Sequence, residues 1–146
     1  MFVAVTCINV LYLKFHSRER IRQQPELAAG YQRLIWGYLF WGNLPWIIMG
    51  LGLELGGVPS IFSYFRPRDG NPFVLAFFII VFAVWILGFR WLFLARGAEF
   101  LVEHPGVLTG FPLNPTLIRL YYCLGIAGGI AAVLFMWFSD IPVSTQ

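Results

Sequence analysis

The sequence predicts an all-α integral membrane protein, a bundle of four transmembrane helices with both termini outside the cytoplasm. Three observations carry this expectation. The 146 residues are 59% hydrophobic and only 12% charged, with a mean hydropathy of +0.74. An average soluble protein carries about 25% charged residues, and half that density cannot clothe a domain of this size in polar groups. The apolar residues fall in long runs, and the Lys and Arg residues lie in the short segments between them, as topology signals do.

Taken in order, the spans are expected at about 2–17, 31–55, 72–95 and 116–138, in one membrane domain covering 1–146. The last three satisfy the requirement of about 20 apolar residues for a helix crossing about 30 Å of hydrocarbon. The first apolar run, 2–15, is shorter. Its charges follow it rather than precede it, which is the reverse of a signal peptide and suits an uncleaved anchor. Lys14 and His16 extend it, because long basic side chains reach back to the headgroups.

Orientation follows from counting. Lys14, Arg18, Arg20, Arg22 and Arg33 lie between the first two spans, Arg66 and Arg68 between the second and third, and Arg90, Arg96 and Arg119 around the last connection. Eight of the ten basic residues are cytoplasmic if both termini are outside, as the positive-inside rule requires. The pattern suits a bacterial inner (plasma) membrane. The net charge of +3 is explained by this placement beside anionic headgroups and not by nucleic acid.

The segments between spans are also readable. Pro25 followed by Glu26 suits the start of a helix before the second run enters lipid. Pro67, Asp69 and Gly70 mark a turn in the outer connection. Ile61, Phe62, Tyr64 and Phe65 are too apolar for a solvated loop and are expected on the membrane surface or over the outer mouth of the bundle. Residues 97–104 read as one or two helical turns at the inner interface, ended by Pro105 and Gly106. Cys7 and Cys123 read as small buried hydrophobes at different depths, with no disulfide.

Candidate functional residues are few. In the second span Asn43, Gly50 and Glu54 share a helical face with Trp36 one stripe lower, and Pro45 deprives the Trp41 carbonyl of its donor. An amide in mid-bilayer needs a partner, and Asn9 of the first span is the expected one. That face is expected to turn toward protein and is the candidate ligand site. Arg90, inside the third span, is a further binding candidate, expected to be held by Glu99 or Glu103. Glu99, Glu103 and His104 are the only cluster with metal-ligand residue types, but no second motif on a facing helix accompanies them. Gly125 and Gly129 form a small-xxx-small pair suited to helix packing, as do Gly128 and Ala132.

No nucleophile elbow, phosphate loop, HExxH motif or pair of mid-membrane histidines is present. The leading expectation is a non-enzymatic accessory, packing or assembly subunit, without cofactor or metal. Its expected partners are the lipid bilayer and other membrane protein subunits. A small transporter or lipid or small-ligand binder using the face with Asn43 and Glu54 is the alternative. A membrane enzyme acting at the interface through Glu99, Glu103 and His104 is the third.

Overall fold

A computed structural model describes residues 2–55, 57–105 and 114–139, and all regular structure among them is helical. Five α-helices follow in order: α1 (Phe2–Gln23), α2 (Ala28–Glu54), α3 (Pro72–Leu94), α4 (Gly97–Glu103) and α5 (Pro115–Phe138). Short 3-10 turns occupy Pro25–Leu27, Ile61–Phe65 and Pro67–Asp69. Three helical stretches are long and apolar enough to cross a bilayer, Pro25–Glu54, Pro72–Leu94 and Pro115–Phe138, so the chain has the make-up of a multi-pass membrane protein. The stretch that falls short is α1. Its apolar part ends at Phe15, and it continues as a polar helix carrying Arg18, Arg20 and Arg22 to Gln23.

Local chemistry explains the helix ends. Asn71 and Asn114 each precede a proline, and their side-chain oxygens accept from Phe73 N at 3.0 Å and Thr116 N at 2.8 Å. Asparagine as N-cap with proline in the first turn is thus used twice. Between α3 and α4 the chain reverses at Arg96, whose φ of 55° is left-handed. Gly97 follows because a Cβ there would lie 2.5 Å from the Trp91 ring. Inside α2, Pro45 is accommodated without a break in the helix.

The packed pairs are α1 with α2, α2 with α3, and α3 with α5, while α4 bridges the end of α3 and the start of α5. On α1 the buried residues are Thr6, Val10, Leu13 and Ser17, spaced four, three and four. That is the narrow seam of one helix lying along another. Two cores cap the array. One, where α2 ends and α3 begins, joins Met49, Val58, Tyr64, Val74 and Phe78, and the other, at the opposite end, Leu92, Ala98, Leu101 and Ile118. Much of the remaining surface is apolar and exposed, including Ile79 and Ile86 on α3 and Leu124 and Phe135 on α5, as lipid-facing helices require.

Of Ile61, Phe62, Tyr64 and Phe65 in the connection between α2 and α3, one is buried and three are exposed. Tyr64 is 4% exposed and donates to the Met49 carbonyl at 3.2 Å. Burial raises the pKa of its phenol, so it stays a neutral donor. Gly52 makes room for it, since a Cβ at that position would lie 2.5 Å from the Tyr64 hydroxyl. Ile61, Phe62 and Phe65 remain exposed. Cys7 and Cys123 are free, as expected, but both are exposed on the apolar surface rather than buried. Gly106, expected to end the inner turn, lies outside the described residues.

Candidate functional site

The α2 face divides along its length. Asn43 is 5% exposed, so it does turn toward protein. Its amide nitrogen donates to the Leu39 carbonyl at 2.8 Å. A carbonyl only accepts, so the NH2 end must face Leu39, and the buried Oδ1 is left with no donor among the described residues. Asn9 does not supply one, because it donates instead to the Tyr38 hydroxyl at 3.3 Å. The register of the two helices decides this. A Cβ on Gly42 would lie 3.9 Å from Thr6 Cγ2, so antiparallel α1 brings Asn9 a full turn below Asn43.

Gly50 and Glu54 lie beyond the stretch that α1 covers. A Cβ on Gly50 would meet nothing within 4 Å, Glu54 is exposed, and Trp36 is 64% exposed. Of the expected stripe only Asn43 faces protein, and it does not converge with Glu54. Asn43→Leu is therefore expected to change stability by about 1 kcal/mol or less, since one weak bond and one unsatisfied acceptor leave together. Unfolding in mixed micelles measures this, and a loss above about 3 kcal/mol would show a partner for Oδ1.

Around α4 the carboxylate expected to hold Arg90 holds Arg119 instead. Arg119 Nη2 donates to both Glu99 oxygens at 2.6 and 2.8 Å, and its Nε donates to the Leu92 carbonyl at 3.2 Å. Its guanidinium also lies 5.8 Å from the Phe93 ring centroid. Arg90 is exposed and forms no ion pair among the described residues. Helical periodicity gives the reason. Leu92 is the buried residue of this turn, and two residues rotate the helix by about 200°, so Arg90 points away from α4.

The Glu99 carboxyl is held below its usual range, first by a hydrogen bond from its own backbone N–H and then by the Arg119 guanidinium. A lowered folded pKa stabilises above the unfolded value, about 4.3, and that stabilisation is lost as pH falls through the lower folded value. Amide exchange in α4 is expected to quicken over that acid window, and Glu99→Gln is expected to abolish the dependence. Unchanged pH dependence in Glu99→Gln would show that another group controls α4.

His104 lies in a different setting from the one a metal ligand needs. It is 5% exposed, its Nδ1 donates to the Phe100 carbonyl at 2.8 Å, and its ring meets Tyr31 edge-to-face at 5.1 Å. The other ring nitrogen rests on Gly30, where a Cβ would lie only 1.8 Å from it. Tyr31, 1% exposed, donates to the Pro105 carbonyl at 2.9 Å. These contacts clasp the start of α2 to the end of α4. Glu103 is exposed, and no group of three His, Cys, Asp or Glu side chains able to hold a metal occurs among the described residues.

The expected pair Gly125 and Gly129 of α5 separates as well. A Cβ on Gly129 would lie 2.4 Å from the Trp85 ring of α3, so Gly129 is a contact within the chain. Tyr122, one further point of this seam, donates to the Trp85 carbonyl at 2.7 Å. Among the described residues nothing lies within 4 Å of a Cβ on Gly125 or Gly128, and Ala132 is exposed beside them. Three small residues thus form an uncovered strip next to a filled one. The residue types on that strip were visible in the sequence, but the structure alone shows which of them is already used. No protein-family model, curated protein or solved structure matches this chain.

Proposed function

We propose that the protein is a non-enzymatic accessory or assembly subunit of a membrane, acting through helix contacts made by α5. The uncovered strip of Gly125, Gly128 and Ala132 carries this reading. Small residues three and four apart let a second helix approach to backbone contact, and van der Waals packing is the main force between helices in lipid. The polar residues elsewhere support it in their own way. Asn43, Glu54, Arg119 and His104 are spent singly or in structural pairs, whereas a catalytic site brings several polar groups to one concave surface. A photo-crosslinking residue at Ala132 is expected to give a protein adduct in native membranes, and one at Ile79 on the exposed face of α3 only lipid adducts. Lipid adducts alone at Ala132 would remove the basis for the proposal. Loss of cellular function in Glu103→Gln with the Ala132 adduct intact would favour the interfacial-enzyme reading.

The same reading takes α1 as a fourth span and both termini as external, in a bacterial inner membrane. Its support is the grouping of charge. The start of α2 meets the end of α4 through Tyr31 and Pro105, the start of α5 meets the end of α3 through Arg119 and Leu92, and α1 ends beside the start of α2. Eight of the ten basic residues belong to that end. In a background lacking Cys7 and Cys123, Ser60→Cys is expected to label from outside and Glu103→Cys only after the membrane is opened. The reverse pattern would invert the topology.

A further inference from the structure

We infer that the inner half of the groove between α1 and α2 is a binding site for one anionic phospholipid. The groove encloses about 510 Å³ and changes character along its length. Toward mid-membrane it is lined by Val10, Ile35, Trp36 and Leu39, Lys14 and Arg18 stand along its inner half, and Ile21, Ala28 and Gln32 line its inner end. An acyl chain fits the first part and a phosphate the second. Lys14 and Arg18 form no ion pair among the described residues. The one carboxylate of α1, Glu19, accepts from Gln23 at 3.0 Å.

Leu11, Lys14 and Arg18 lie three and four residues apart and so form one ridge of α1. On the far side of that ridge a second, shallow apolar trough is lined by Ile8, Tyr12 and Phe15. A headgroup held on the ridge can therefore drop one chain to each side. Ser17 is 2% exposed and donates to the Lys14 carbonyl at 3.2 Å, so it closes the floor of the groove and does not compete for the headgroup. Paired basic side chains beside an apolar cleft at the membrane surface are the chemistry that selects anionic lipid.

The inference rests on α1 lying in the bilayer, as proposed above, and the test separates the two. The full chain is reconstituted in phosphatidylcholine vesicles carrying brominated phosphatidylglycerol, or brominated phosphatidylcholine at equal mole fraction. Quenching of Trp36, 64% exposed, is taken as the difference between wild type and Trp36→Phe. Half-quenching is expected at a roughly tenfold lower mole fraction of the anionic lipid, from two partly screened basic groups. Lys14→Gln with Arg18→Gln should abolish the preference, and Arg66→Gln with Arg68→Gln in the outer connection should retain it. Retention of phosphatidylglycerol on wild type but not on the Lys14 and Arg18 variant, in native mass spectrometry, gives a second readout. Equal quenching by the two lipids, or quenching by neither, overturns the site. The place of α1 is read separately: in a background lacking Cys7 and Cys123, Ala4→Cys is expected to label from outside, and labelling only after the membrane is opened overturns α1 as a span.

Discussion

Gly129→Leu is expected to destabilise the fold by about 3 kcal/mol, while Gly128→Leu next to it leaves the fold within about 0.5 kcal/mol and weakens assembly instead. The two positions differ by one residue, a rotation of about 100°, and that rotation separates a filled seam from an open one. At Gly129 even a Cβ would lie 2.4 Å from Cη2 and 2.7 Å from Cζ2 of Trp85. An indole between two helices cannot yield as a flexible chain end does, so α5 must move away from α3. Tyr122, which donates to the Trp85 carbonyl in the same seam, is then displaced too. At Gly128 nothing among the described residues lies within 4 Å of a Cβ. Leucine also has the higher helix propensity. The added side chain instead blocks the close approach of another helix. Unfolding in mixed micelles reports the first effect, and the yield of the Ala132 crosslink the second. If Gly128→Leu keeps the crosslink intact, the partner does not use this strip. If Gly129→Leu is as stable as wild type, the seam with Trp85 is not what holds α5.

Gly30→Ala is expected to cost about 2 kcal/mol, and the added cost is expected to shrink when His104 is also replaced by Ala. A methyl group at Gly30 would fall 1.8 Å from His104 Nε2, and the imidazole has no free direction in which to turn. Tyr31 meets one side of it at 5.1 Å and Phe100 lies 4.2 Å away, while Nδ1 is tied to the Phe100 carbonyl. Admitting the methyl means expelling the ring and with it the clasp between α2 and α4. His104→Ala alone leaves a cavity, and the Gly30 methyl partly fills that cavity in the double variant. A double-mutant cycle on unfolding free energies measures the coupling. Strict additivity would show that the ring already lies clear of Gly30.

The sequence by itself determined the membrane character and the positions of the long helices. Lipid admits helices only if their apolar length matches the hydrocarbon core, so composition along the chain is enough. The apolar runs expected at 72–95 and 116–138 correspond closely to Pro72–Leu94 and Pro115–Phe138. Asn71 and Asn114, each before a proline, could have fixed both starts to the residue. The turn at Pro67 to Gly70 was equally legible, because its residues dictate their own backbone angles, and Gly70 has the φ of 73° that glycine permits. Only α1 escaped this reasoning, since its apolar part is short and its continuation charged.

Tertiary structure decided every pairing. Periodicity says which residues share a face, but not which neighbour lies against it. The antiparallel register of α1 on α2 gave Asn9 to Tyr38 and left Asn43 Oδ1 without a donor among the described residues. The reversal at Arg96 turned α4 toward the side of α3 that carries Leu92, so Glu99 met Arg119 and not Arg90. Gly125 and Gly129 are chemically identical, and only the place where Trp85 sits distinguishes the glycine used inside the chain from the one left open. These outcomes depend on how helices distant in sequence slide and rotate against one another, and that is settled by the fit of many side chains at once.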